Sequence, residues 1–193
     1  MPMENIKQKL SDVAHSWTAI GMITLFLFGV QPSPMPNAQA DVVEQKTVQE
    51  QKQEAKQLKK ETLEKFSNTV YKSSQMLTDK ELLQLLKAVG FEGKALKLAW
   101  AVAKSESNGR PMAYNGNRNT GDSSYGIFQI NMLGNLGDDR KEKFDLRSNV
   151  LLFDPVINAE ITYYMTQGGN DWSSWSSMKN GSVGKWLAEF PNQ

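Results

Sequence analysis

Glu106 is the residue whose type and setting offer chemistry. Read as a helix at about 100° per residue, Ala95 to Glu106 puts this carboxylate on the side of Ala95, Ala99, Val102 and Ala103, with Lys97 and Lys104 opposite. A carboxylate among alkyl groups is desolvated, which disfavours its ionised form and raises its pKa. A carboxyl that holds its proton toward neutral pH is what a general acid requires. Position alone is weak evidence, since a glutamate in a last helical turn is ordinarily a solvated surface residue. The residues that follow strengthen it. Gly109 and Pro111 stop the helix, and the polar run from Asn115 to Asp122 forms a loop that carries a possible second carboxylate, Asp122. The stretch Ser124-Tyr125-Gly126-Ile127-Phe128-Gln129-Ile130-Asn131 then sets Gln129 among apolar neighbours, where an amide needs a partner.

The rest of the composition narrows the chemistry. The chain of 193 residues has no cysteine, and its one histidine, His15, lies before the uncharged run from Trp17 to Val30. Thiolate sites, a histidine-based triad and a multi-histidine metal site are therefore excluded, which leaves carboxylates as the acid/base groups. Asn115, Asn117 and Asn119 alternate like calcium ligands, but only Asp122 is charged and Thr120 stands where a calcium loop needs glycine. Neither a metal nor a cofactor is expected. A net charge of +1 and a pI near 7.8 give no basic field, so nucleic acid is not an expected partner.

Glu106-Ser107, the Pro111-x-Ala113 after it, and Tyr125-Gly126-Ile127-Phe128-Gln129-Ile130-Asn131 resemble the lysozyme-like domain of the soluble lytic transglycosylases, especially the compact versions carried by phages. The resemblance covers roughly residues 80 to 180, about half of the chain. It implies a mainly α, lysozyme-like α+β domain with a helical core, acting on the glycan strands of peptidoglycan. It further implies that Glu106 is a single acid/base and that the product carries a 1,6-anhydro-muramyl end. Asn115, Tyr125, Gly126, Gln129 and Asn131 are then the expected substrate contacts, with Trp172 as a sugar platform. Asn115 falls where the family often has a serine facing the substrate acetamido group. Goose-type lysozymes, a related branch, tend to have an aspartate where this chain has Asn131, and that departure disfavours hydrolysis. The family often places one tyrosine near the acid; Tyr163 and Tyr164 lie in the corresponding region, with no local motif to choose between them.

Positioning Glu106 falls to the elements around it. Thr78-Asp79-Lys80-Glu81 is a capping box opening a helix with Leu82, Leu83, Leu85, Leu86 and Val89 on its apolar face, and Gly90 ends it. Residues 138–143 read as a charged surface loop leading into a short helix. Asp154-Pro155 starts a further helix with Val156, Ile157, Ile161, Tyr164 and Met165 directed to the core. Trp172 and Trp175 each suit either the core or a groove, whereas Trp186 and Phe190 read as packing residues.

Three regions are expected: a signal peptide or membrane anchor over 1–40, a charged helical spacer over 41–66, and the lysozyme-like domain over 67–193. Residues 13–30 are nearly long enough to span a bilayer, which takes about 20 apolar residues as a helix. Pro32, Pro34, Pro36 and Ala38-Gln39-Ala40 after them suit cleavage on export. The expected place is therefore the periplasm or cell envelope, as an exported or membrane-anchored protein, with a phage virion as a further possibility. Two other functions fit parts of the sequence: a wall-binding module without turnover, and a membrane-tethered interaction protein working through residues 41 to 66.

Overall fold

The computed structural model describes residues 38–67 and 75–191; the hydrophobic segment 13–30 and His15 lie outside them. Helix α1, Ala38–Ser67, covers the residues expected as a charged helical spacer, and from Val48 to Glu61 every residue is exposed. Beyond Val48 its sparse apolar residues stay exposed until its C-terminal end, where Leu63 packs against the core, Phe66 enters it and Ser67 Oγ donates to Asp154 Oδ2 at 2.5 Å. The spacer thus ends inside the domain's packing. No described helix is long and apolar enough to cross a membrane.

Helix α2, Asp79–Val89, opens with the expected capping box: the Thr78 hydroxyl accepts from Glu81 N–H, and the Glu81 carboxylate accepts from Thr78 N–H at 3.0 Å. This bond, chiefly, holds the Glu81 carboxyl below its ordinary pKa. Gly90 ends the helix with φ 129°, a backbone angle that disfavours a side chain. Helix α3, Gly93–Ser107, runs from there to the acid, burying Leu96, Ala99, Trp100, Ala101, Val102 and Ala103. Lys104, on the side of α3 opposite Glu106, is half-buried. It pairs with Asp79 at 3.0 Å and lies over the rings of Trp100 and Trp186, because a C-terminal helix packs on that side.

Three two-residue strands form an antiparallel sheet in chain order: β1 Tyr114–Asn115, β2 Ser124–Tyr125 and β3 Ile130–Asn131, with Tyr114 opposite Tyr125 and Ser124 opposite Asn131. Residues 138–143, expected as a loop, belong instead to helix α4, Gly134–Phe144. Two glycines conceal it in the sequence. Gly137 is buried where a Cβ would lie 2.1 Å from the Met132 carbonyl oxygen, so close backbone packing dictates that glycine.

Helix α5, Pro155–Met165, is capped by Asp154, whose carboxylate accepts from Val156 and Ile157 N–H. Two short helices complete the domain, α6 Ser176–Lys179 and α7 Ser182–Ala188, with α7 lying along α3. Trp186 and Phe190 pack edge-on against Trp100, as expected of packing residues.

Candidate active site

Glu106 occupies the last turn of α3, and its neighbour Ser107 anchors that turn. The Ser107 hydroxyl donates to the Ile127 carbonyl at 2.8 Å, bridging the helix end to the turn between β2 and β3. Asn108, at φ 56°, ends the helix by turning left-handed, a conformation asparagine tolerates better than most residues. Trp175 Nε1 donates to the adjacent Phe128 carbonyl at 2.8 Å and so fixes the start of α6 to the same turn. Two successive carbonyls therefore position the acid on one element and α6 on another.

The Glu106 side chain is partly buried, and desolvation raises its carboxyl pKa above the ordinary 4.5. The Ser177 hydroxyl on α6 pulls the other way, while the charge of Asp122 raises it further. Asp122 lies between β1 and β2, with Oδ1 accepting from Ser124 Oγ at 3.2 Å and Oδ2 from Thr120 Oγ1 at 3.1 Å. The structure thus brings a carboxyl of raised pKa, a hydroxyl and a second carboxylate into one electrostatic neighbourhood. Among the described residues, no group of three acidic or histidine side chains is arranged to hold a metal ion.

The other expected site residues divide by what their polar atoms already do. Gln129, at φ 48°, spends its amide nitrogen on the carbonyls of Ala113 and Gly126, at 3.0 and 2.9 Å, which closes the β2–β3 turn. Asn131 accepts from Leu133 N–H and donates to the Gly121 carbonyl at 2.8 Å, bracing the loop that carries Asp122. Gly126, at φ 77°, has no room for a Cβ, which would lie 2.2 Å from Leu152 O and 2.3 Å from Asn158 Nδ2. Asn115 is exposed on β1 and accepts from Asn117 N–H.

Tyr125 is half-buried between Tyr114 and Phe153, and a hydrogen bond from Ser123 leads the effects that lower its phenol pKa. Trp172 corrects the expectation of a sugar platform. It is only 5% exposed, stacks on Phe91, touches Phe128 and Trp175, and donates to the Gly169 carbonyl, so no ring face is open to a sugar. Tyr163 packs on Phe91 and Tyr164 on Phe144, both edge-on.

Two residues here escaped the sequence reading. Asn158 is fully buried on α5; its oxygen accepts from Phe128 N–H, and its nitrogen donates to the Tyr125 and Leu152 carbonyls, each at 2.9 Å. It supports the β2–β3 turn from beneath. An amide among Val156, Ile157 and Ile161 was the available signal. Ser177 gave none, since nothing in Trp175-Ser176-Ser177-Met178 relates it to a glutamate 71 positions earlier. A shallow cavity lined by Phe91, Leu96, Phe190 and Pro191 lies near the first turn of α3, about 15 Å along the helix from Glu106, and is not part of this site.

A helical body with a small antiparallel sheet, and an acid at a helix end facing that sheet's loop, is the architecture of a lysozyme-like domain. Residues 83–177 match the family model described as "Lysozyme like domain", and the chain carries such a domain, of the lytic transglycosylase type. The family acts on the glycan of peptidoglycan. The matched span includes Glu106, Asp122, Gln129 and Ser177. No curated protein and no solved structure matches the chain.

Proposed function

We propose that this protein is a lytic transglycosylase that cleaves the β-1,4 bond between N-acetylmuramyl and N-acetylglucosaminyl residues, with Glu106 as its only acid/base. The observation that carries this reading is the partly buried Glu106 carboxyl, which desolvation keeps protonated to higher pH than an ordinary glutamate. The protonated carboxyl gives its proton to the glycosidic oxygen as the C1–O bond breaks. The resulting carboxylate takes the proton of the C6 hydroxyl of the same muramyl residue, whose oxygen bonds to C1 and closes a 1,6-anhydro ring. No water enters, and the substrate's acetamido group can assist at C1, so a second protein carboxylate is not needed.

A second reading, hydrolysis with Asp122 as nucleophile or base, draws on the electrostatic coupling of Asp122 to Glu106. Against it, both Asp122 oxygens already accept hydroxyl hydrogen bonds. Mass analysis of digested muropeptides separates the two: anhydro-muramyl ends support transglycosylation, and reducing ends overturn it. Under the first reading Asp122→Asn retains most activity; under the second it loses it. A wall-binding module without turnover would release no fragments at all. Export to the envelope, with residues 1–40 as signal peptide or anchor, belongs to the same proposal, and the N-terminal mass of the protein recovered from that compartment tests it.

A further inference from the structure

We propose that Ser177 is a positioning residue for Glu106, its hydroxyl serving as the hydrogen-bond donor that meets the carboxylate once the proton has left. This rests on the reading of Glu106 as the acid. Ser177 is 5% exposed, and among the described residues its Oγ is buried without a hydrogen-bond partner. A buried hydroxyl without a partner carries a desolvation cost, so it calls for an explanation. Its surroundings hold it in place. Trp175, two residues earlier, is bonded to the Phe128 carbonyl, while the Ser177 carbonyl accepts from Ser182 Oγ at 3.3 Å, and Ser182 Oγ lies 2.8 Å from Ser105 Oγ in the last turn of α3. The backbone of Ser177 is thereby tied to the residue just before Glu106.

Against the desolvation that raises the Glu106 pKa, Ser177 lowers it, as a hydroxyl that can donate to the ionised carboxyl does. It can accept from the protonated acid and donate to the carboxylate, so it serves both halves of the proposed reaction. Other charges nearby are accounted for. Lys104 is paired with Asp79, the Arg110 guanidinium donates to the Ser107 carbonyl, Lys185 lies over Trp186, and Lys179 is exposed at the end of α6. Asp122 is the charge that acts on the carboxyl, and it opposes ionisation.

The test is a carbon-13 titration of the Glu106 carboxyl in the full chain, its signal assigned by its loss in Glu106→Gln. In Ser177→Ala the midpoint should rise by about 0.5 to 1 pH unit, because the donor to the charged form is gone. In Ser177→Thr, which keeps a hydroxyl, it should return toward the parent value. On soluble glycan, Ser177→Ala should lower kcat about 3- to 10-fold with KM within about twofold, and the alkaline limb of kcat/KM should move to higher pH. A midpoint unmoved by Ser177→Ala, or displaced equally in Ser177→Thr, overturns the proposal. A purely structural serine would change the unfolding midpoint and leave the titration where it was, which also overturns it. Full activity in Glu106→Gln would instead sink the assignment of the acid, while the titration would still report what Ser177 does to that carboxyl.

Discussion

A carboxyl whose pKa burial raises is a cost to the fold as well as an asset to the chemistry. Because the folded-state pKa of Glu106 lies above its unfolded value, the native chain binds more protons through that interval, and stability falls as pH rises across it. Glu106→Gln should therefore raise the melting temperature at pH 7, on the order of 2 °C, with the gain vanishing below about pH 4. The same substitution should reduce glycan cleavage at least about 100-fold. Calorimetry at the two pH values, beside a turbidity assay of wall clearing, checks both. The half-buried placement of Glu106 was legible in the sequence because one helical period sets its side of α3. The burial of Trp172 and the backbone partners of Gln129 and Asn131 were not legible, because they depend on chain segments brought together only by folding. Ser177 lies further still from any local pattern.

At the scale of elements, the β2–β3 turn is where the acid, α5 and α6 are brought into register. Asn158 supplies three of the hydrogen bonds beneath it, so Asn158→Leu orphans one N–H and two carbonyls at once. We expect a loss of about 3 kcal/mol or more, read from urea unfolding. Gly126→Ala should cost a similar amount, about 3 kcal/mol, because its Cβ would collide with the Leu152 carbonyl and its φ of 77° is left-handed. Helices α2, α3 and α5 were readable from caps and apolar faces. The extent of α4 was not, because Gly134 and Gly137 meet positional demands, a left-handed start and a close approach to Met132, that resemble loop composition.

Across the whole molecule, the boundary between spacer and domain is a matter of which side chains bury. Phe66→Ala should destabilise the domain by about 3 to 5 kcal/mol, whereas Leu58→Ala, at a position 67% exposed, should stay within about 0.5 kcal/mol. Thermal unfolding of the two variants checks this, and equal effects would mean that α1 does not dock through its last turn. The expected boundary after residue 66 followed the change in composition, but composition does not reveal that the final turn of a polar helix is a core element. The seating of that turn has a mechanical consequence. Thirty helical residues make a strut about 45 Å long, clamped to the domain at Phe66 and Ser67. Whatever holds the strut's far end also sets the working radius of Glu106, and inserting two heptads should lengthen that radius by about 21 Å.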